Sequence, residues 1–382
     1  MEVMEAVRVA LDWNANTNHA GMFVAMEKGL YAKEGVRVDL ICAEDVYAEK
    51  KTDEISSGSG PTEEENVCVP RTPAGLVLAG RADLAVCPSE TVISSFVKSD
   101  AGDGDDSSHV YLVAVAALLN RDASAIVSLA GGNDNGIIAR PKDLDGKKYG
   151  SYAARYEGRI VQEMIRADGG AGTYDEICPA KLGIWETLIG KKLDATWVFM
   201  NWEGVAAARQ LGAGSLNAFT LEDYGIPYGY TPLLVASSTA LEDARTCDTI
   251  ARFLKATSEG YAMCVREPQA AARLFIDRVK ADARVLEFDE DTVIESFVYT
   301  APYFTDTNRP WGEMEVARWD AFLDWLAEKG LLTDLKQSRQ PDAAKKTTTL
   351  DALRAGRGGK AIDRRLYIAS KMFTNALLPS AR

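Results

Sequence analysis

Histidine and closely spaced cysteines are scarce in this sequence. Its 382 residues include two histidines, His19 and His109, and six cysteines that form no Cys-x-x-Cys pair. A metal centre built from His or Cys needs several of these ligands close together. We therefore expect no metal site, and we interpret the cysteines as scattered buried thiols.

Positive charge is also short, since 43 Lys and Arg residues stand against 56 Asp and Glu residues and the net charge is −13. A chain of this sign is repelled by nucleic acid and by anionic membrane surfaces. No apolar run reaches the ~18–20 residues needed to span a bilayer. We expect neither a nucleic-acid partner nor insertion into a membrane.

The first residues contain no basic segment followed by an apolar segment, as a secretory signal would. As translated, the chain is predicted to be cytoplasmic; a processed form would be periplasmic or secreted. With 382 residues, of which 47% are hydrophobic and 26% charged, it has a globular composition and is too long for one ordinary core.

The opening of the chain alternates strand and helix patterns. Residues 7–11 form a short apolar run, residues 21–29 carry an apolar helical face that a glycine ends, and residues 36–41 alternate apolar and polar side chains. A β-α-β order of this kind predicts a parallel sheet with helices on its faces.

Two apolar runs, 110–119 and 231–236, predict strands that cross between two lobes. We therefore predict a two-lobed α/β fold with a ligand cleft between the lobes. The predicted parts are lobe I (1–119 and 232–335), lobe II (120–231) and a C-terminal extension (336–382) whose apolar segment 366–378 docks back. Two polar stretches, 43–67 and 99–108, are interpreted as surface insertions.

The loop after the first predicted strand is the first candidate site. It contains Trp13, Asn18 and His19, just before a helix whose first N–H groups have no partner inside the helix. An Asn side chain offers both a donor and an acceptor, which suits the mixed donor and acceptor edge of a heterocycle. The alternative is structural: Asn18 caps the helix and Trp13 belongs to the core.

Two further candidate segments are short and polar. Ser124 closes a stretch that follows the first crossing strand, where the alternative is a turn with local hydrogen bonds. Tyr149 and Ser151 flank a glycine between a strand and a helix, where backbone N–H groups could hold an anion. Neither segment specifies a ligand by itself.

The fourth candidate surrounds one carboxylate with aromatic side chains. Phe199 and Trp202 lie beside Glu203 at the end of a predicted strand. Aromatic rings can stack a flat heterocycle. We expect Glu203 to be an exposed carboxylate in the cleft that accepts hydrogen bonds from the amino edge of this heterocycle. The alternative is an aromatic core cluster with Glu203 at the start of an exposed helix.

These segments occur in one order along the chain. The ordered set resembles the bacterial formyl-aminopyrimidine-binding proteins of thiamine salvage, which share a superfamily with the fungal thiamine pyrimidine synthases. The resemblance runs from about residue 7 to 325, outside the two insertions, and leaves the C-terminal extension uncovered. The matching segments are 13–21, 72–74, 120–129, 149–151, 201–205 and 223–227.

The resemblance implies a type II periplasmic-binding-protein fold and a pyrimidine stacked on aromatic rings. Glu203 would hold the amino edge, and Phe199 stands where the binding proteins tend to have a stacking tyrosine. The resemblance also implies that Asn18, Ser124 and Trp311 line the cleft, and we add Tyr228 to them.

A synthase activity is the alternative function, and the resemblance implies pyridoxal phosphate and iron for it. That chemistry needs a lysine, a histidine consumed as substrate, and a cysteine-rich run. In this sequence Cys87 stands where the lysine is needed and Thr91 where the histidine is needed. Residues 228–233 replace the cysteine-rich run. We therefore predict ligand binding without a cofactor, and leave open whether the chain is an enzyme.

Two further alternatives remain. The chain could be a sensor that has lost its ligand, or it could bind another flat ligand such as a flavin, or a sulfonate. A transporter partner and a homodimer are both compatible with the sequence.

Overall fold

The computed structural model describes residues 4–42, 72–96, 110–179, 183–306, 309–337 and 347–379. Both predicted insertions, 43–67 and 99–108, lie outside these ranges, as does His109. In the described part of the chain, every helix is too short or too polar to cross a membrane.

Ten of the strands in the described residues form two five-stranded sheets. They are β1 (Glu5–Ala10), β2 (Val36–Ile41), β3 (Leu84–Cys87), β4 (Leu112–Ala117), β5 (Ser124–Leu129), β6 (Lys148–Gly150), β7 (Asp175–Ile177), β8 (Ala195–Phe199), β9 (Leu216–Phe219) and β10 (Leu233–Ser237). Two short strands, β11 (Lys336–Gln337) and β12 (Thr347–Thr348), pair with each other.

The α-helices cover the faces of these sheets. They are α1 (Ala20–Glu27), α2 (Leu30–Lys33), α3 (Pro73–Leu78), α4 (Ser89–Phe96), α5 (Glu157–Ala167), α6 (Ile184–Ile189), α7 (Val205–Leu211), α8 (Ala244–Arg266), α9 (Pro268–Ala281), α10 (Glu290–Phe304), α11 (Val316–Glu328) and α12 (Leu350–Arg354).

The first sheet has the strand order β2-β1-β3-β10-β4. The pairs β1–β2 and β1–β3 are parallel, as the β-α-β pattern predicts, whereas β10 runs antiparallel to β3 and β4. All six residues of β4 are buried, because both faces of this strand are covered. Burial on both faces therefore explains the long apolar run in the sequence around β4.

The second sheet has the order β7-β6-β8-β5-β9, and all its strands lie between Ser124 and Phe219. Strand β6 runs parallel to β7 and β8, and β5 runs antiparallel to β8 and β9. The carboxyl ends of β6 and β8 therefore point to the same edge of the sheet. The lobe boundaries themselves stay a prediction.

Helix α8 packs against α1 and contacts the loop after β1. The Asp243 carboxylate caps it by accepting the Thr246 N–H at 2.8 Å. A Cβ at Gly260 would lie 2.0 Å from the Gly21 carbonyl oxygen, so a glycine is needed where α8 crosses α1. This close approach brings the Tyr261 hydroxyl to 2.6 Å from the Asn18 carbonyl oxygen, to which it donates.

The C-terminal extension returns to the first sheet, as its apolar pattern predicts. The Ala114 N–H of β4 donates to the Met372 carbonyl, and the Thr374 N–H donates to the Ala114 carbonyl, both at 2.9 Å. The Phe373 ring stacks on Trp319 of α11, with centroids 5.9 Å apart. The extension thus covers the edge that β4 would otherwise expose.

Candidate ligand-binding site

Asn18 joins the loop after β1 to the turn after β8. The Asn16 side chain accepts the Asn18 N–H at 2.9 Å and caps the short 3-10 turn Thr17–His19. Helix α1 itself has no side-chain cap, so the capping role considered for Asn18 is wrong. The Asn18 side-chain oxygen instead accepts a hydrogen bond from the Asn201 amide at 2.9 Å. Both asparagines are buried, and this contact connects the two sheets across the cleft.

His19 is fully buried beside Asp12. Its Nε2 lies 2.8 Å from the Asp12 carboxylate. Its Nδ1 is buried and has no hydrogen-bond partner among the described residues. The Asp12 contact fixes the orientation of the imidazole ring. The sequence pattern did not identify Asp12 as the partner of His19.

Five side chains form what we call the aromatic–carboxyl cluster: Trp13, Tyr152, Trp202, Glu203 and Glu287. The indole N–H groups of Trp13 and Trp202 both donate to Glu287 Oε2, at 3.2 and 3.1 Å. The Trp13 ring meets Tyr152 edge to face, with centroids 5.7 Å apart. Residues from both halves of the chain therefore converge on the Glu287 carboxylate.

Glu203 lies in a π-helical turn, Met200–Gly204, directly after β8. Its carboxyl Oε2 accepts the Phe199 N–H at 3.0 Å, and the residue is only 5% exposed. Burial, and then the nearby Glu287 carboxylate, raise the pKa of Glu203 to about 8. The expectation of an exposed cleft carboxylate, and the alternative of an exposed helix start, are therefore both wrong.

Ser124 and Phe199 stand opposite each other in the β5–β8 register. The Ser124 N–H and hydroxyl both donate to Asp122 Oδ1, at 2.8 and 2.7 Å. Burial raises the pKa of Asp122. The local turn considered for this segment is thus present, and it places Ser124 next to the turn that carries Glu203.

Tyr149 and Tyr228 each bind a buried glutamate. The Tyr149 hydroxyl donates to Glu157 at 2.9 Å, and the Tyr228 hydroxyl donates to Glu90 at 3.1 Å. Burial, and then the Glu157 charge, raise the pKa of Glu90 to about 7. Burial also raises the pKa of Glu157.

The loop between β6 and α5 is organised by its own hydrogen bonds. The Ser151 hydroxyl oxygen accepts the Ala153 N–H at 3.0 Å, and Ala153 has a φ of 65°, in the left-handed region. Glu157 accepts the N–H groups of Tyr152 and Ala154 at 3.1 and 3.2 Å. The loop is therefore held in one conformation, with Tyr152 in the cluster.

Trp311 lies apart from the cluster. Its indole N–H donates to the Leu118 carbonyl at 3.3 Å, and its ring stacks on Tyr261 with centroids 4.6 Å apart. Its link to the loop after β1 runs through Tyr261, which donates to Asn18. A direct contact between Trp311 and a ligand stays a prediction.

Sequence reasoning missed the carboxyls Glu287, Glu157 and Glu90. Glu287 is 274 residues from Trp13, and no spacing rule connects them. Glu157 had a local signal, because an acidic residue at the first position of a helix favours the helix N-terminus. Glu90, in the first turn of α4, has a similar signal.

The positions considered for pyridoxal phosphate do not fit that cofactor. Cys87, at the end of β3, is buried, and burial followed by the Asp12 and Glu90 charges raises the pKa of its thiol. A neutral thiol does not form the Schiff base that a lysine would. Among the described residues, no three His, Cys, Asp or Glu side chains are grouped in a way that could hold a metal ion.

Two curated relatives cover most of the chain. The formylaminopyrimidine-binding protein of Halalkalibacterium halodurans is 23% identical over 85% of this chain and 86% of its own length. A putative thiamine biosynthesis protein of Haemophilus influenzae is 22% identical over 86% of this chain and 88% of its own length.

Solved structures of binding proteins share the fold. The periplasmic aliphatic sulphonate binding protein SsuA of Escherichia coli aligns with a TM-score of 0.55 at 13% identity, covering 96% of this chain and 98% of its own. The periplasmic nitrate-binding protein NrtA of Synechocystis PCC 6803 aligns with a TM-score of 0.57 at 12% identity, covering 98% and 87%. The predicted two-lobed α/β fold is confirmed.

The family model described as "NMT1/THI5 like" matches residues 16–59 and 69–271, more than half of the chain. This match contains the end of the loop after β1 from Asn16 on, the Glu157 loop and the Glu203 turn, and it leaves out Trp13 and Glu287. It confirms the resemblance inferred from the ordered segments, and the chain belongs to the NMT1/THI5-like family.

Proposed function

We propose that this chain binds a thiamine-related aminopyrimidine in the cleft between its two sheets. The observation that carries the proposal is the buried Glu203 carboxyl, whose raised pKa of about 8 leaves it protonated at neutral pH, among aromatic rings. The name of one curated relative, a formylaminopyrimidine-binding protein, points to the same ligand class, and the name of the other points to thiamine biosynthesis.

The hydrogen-bonding edge of the ligand matches that of a protonated carboxyl. An aminopyrimidine carries a ring nitrogen that accepts and an adjacent amino group that donates. A protonated carboxyl offers one O–H donor and one acceptor oxygen in the same fork. The complex therefore holds one proton between Glu203 and the ring nitrogen, and either position of that proton gives a strong pair.

The rest of the site also favours an amino-bearing ring over an anion. Trp13, Tyr152 and Trp202 supply aromatic surface beside Glu203. The Glu287 carboxylate acts on Glu203 as a like charge and would repel an anion bound beside it, which disfavours a sulfonate as the ligand.

Calorimetric titration with hydroxymethylpyrimidine and its formylaminomethyl analogue tests the proposal. Glu203→Gln should weaken binding about ten- to a hundred-fold, because the shared proton and its charge assistance are lost. Wild-type affinity should also fall as the pH rises above about 8, where the free carboxyl loses its proton, whereas Glu203→Gln should not show this fall.

Glu186→Gln is the matched control, because Glu186 is an exposed carboxylate whose charge acts on Glu203. It makes the same Glu-to-Gln exchange outside the aromatic–carboxyl cluster and should bind about as tightly as the wild type at neutral pH. Equal affinities for the wild type and Glu203→Gln would reject the role of Glu203. Failure of the wild type to bind either compound would reject the aminopyrimidine proposal and leave a ligand-free sensor or a flavin binder.

The location and partners of the chain stay predictions. The solved neighbours described as periplasmic share the fold only, so a cytoplasmic or a periplasmic location is decided by fractionation. A transporter partner or a second copy of the chain would show as a complex in native mass spectrometry, which would also reveal any bound small molecule.

A further inference from the structure

A small cavity lies where three parts of the chain meet: the start of α5, the segment after α11 and the turn after α12. Arg155, Tyr156 and Arg159 line one side, and Gly356 and Gly358 line the other. None of the described residues that line it is acidic. Two guanidinium groups therefore share a small space without a negative charge from the lining.

Several donors in this cavity have no partner. Arg155, only 7% exposed, donates through Nη2 to the Thr333 and Leu335 carbonyls at 3.3 and 2.7 Å. Its buried Nε, the Arg159 Nε and the Tyr156 hydroxyl have no hydrogen-bond partner among the described residues. Buried polar groups of this kind are costly unless something satisfies them.

The cavity is large enough for more than a single water. The cavity has a volume of about 20 Å³, and one water needs roughly 10–15 Å³. Gly356 has a φ of 75°, and a Cβ there would lie 2.8 Å from Arg159 Nη1. The glycine thus lets the C-terminal extension close over the guanidinium.

We propose that this cavity binds a phosphate-type oxyanion between Arg155 and Arg159. Guanidinium groups form paired hydrogen bonds with phosphate oxygens, and an oxyanion would satisfy the unpaired donors together. It would also link α5 to the C-terminal extension, which lies outside the matched family segment. The proposal concerns a different site from the cleft and does not depend on the ligand bound there.

Titration of the full chain with inorganic phosphate tests this, with calorimetry and thermal unfolding as readouts and sodium chloride at equal ionic strength as the baseline. Phosphate should bind and raise the unfolding midpoint of the wild type. Arg159→Gln should weaken phosphate binding at least about ten-fold, and Arg159→Lys should fall between the two. Glycerol phosphate in place of phosphate distinguishes a phosphorylated molecule, which would bind more tightly, from free phosphate.

Arg166→Gln is the matched control. Arg166 lies on the same helix, pairs with Glu163 at 2.7 Å and does not line the cavity, so this variant should bind phosphate like the wild type. In phosphate-free buffer Arg159→Gln should be at least as stable as the wild type, because it removes a buried Nε that has no hydrogen-bond partner among the described residues. Destabilisation there, equal phosphate affinities for the wild type and Arg159→Gln, or no phosphate binding by the wild type would each overturn the proposal.

Discussion

Glu157 and Glu203 follow two neighbouring parallel strands, β6 and β8, and both carboxyls are buried. Glu157 accepts the Tyr149 hydroxyl and two backbone N–H groups, those of Tyr152 and Ala154. Glu203 accepts the Phe199 N–H and lies near the Glu287 carboxylate. Similar burial therefore has two outcomes: Glu157 is satisfied by its own loop, whereas Glu203 keeps hydrogen-bonding capacity for a ligand.

Glu157→Ala tests the structural half of this comparison and should have the largest effect. It leaves the Tyr149 hydroxyl and two loop N–H groups without their acceptor. We expect the free energy of unfolding to fall by about 3 kcal/mol, because each buried donor left unsatisfied is costly. Urea unfolding measures the loss. A drop of less than ~1 kcal/mol would mean that Glu157 does not organise the loop.

The pH dependence of stability tests whether the buried Glu203 carboxyl is protonated in the folded chain. The pKa of Glu203 is about 8 in the folded chain and about 4.5 for an ordinary glutamate, so unfolding releases a proton between these values. The contribution of Glu203 to the free energy of unfolding is fully present below about pH 4.5 and is lost as the pH rises through about 8. Between pH 6 and 8, wild-type stability should fall by about 2 kcal/mol more than that of Glu203→Gln.

Glu90, with a pKa of about 7, adds a fall of the same sign in both proteins, so only the difference between them reports Glu203. Urea unfolding at several pH values measures it, and Glu186→Gln should keep most of the wild-type fall, because burial and Glu287 raise the pKa of Glu203 more than the Glu186 charge does. Parallel curves for the wild type and Glu203→Gln would show that the carboxyl is ionised in the folded chain, and the shared-proton account of binding would fail.

The local parts of this fold are predicted well by the sequence. Strand β2 and helix α11 lie where their periodicities put them, because the pattern of burial along each element repeats at its own period. Trp202 and Glu203 are predicted together because both belong to one turn. The partners Glu287 and Glu90 are not, since they approach from distant segments and only the packed lobes bring them near Trp13 and Tyr228.

Trp13→Phe tests how the aromatic–carboxyl cluster holds the Glu287 carboxylate. The change removes one indole N–H from Glu287 and leaves that of Trp202, while the smaller ring can still face Tyr152. We expect a stability loss of about 1 kcal/mol and a few-fold weaker binding of the pyrimidine. Trp202→Phe should cost more, because Trp202 is 1% exposed and its truncation also leaves a cavity. Equal losses for the two variants would contradict this ranking.

Ala153→Gly should have the smallest effect and is the most specific test of loop strain. Ala153 has a φ of 65°, which disfavours a side chain, so glycine should stabilise the folded chain by about 0.5–1 kcal/mol. Ala283→Gly is the matched control, because exposed Ala283 has a φ of 56° outside the aromatic–carboxyl cluster. Both variants should gain stability in urea unfolding. If the strained loop pre-positions Tyr152 for the ligand, Ala153→Gly alone should bind the pyrimidine more weakly, since the freed loop must be ordered again on binding. Equal affinities for the two variants would show that the strain belongs to the fold and not to the site.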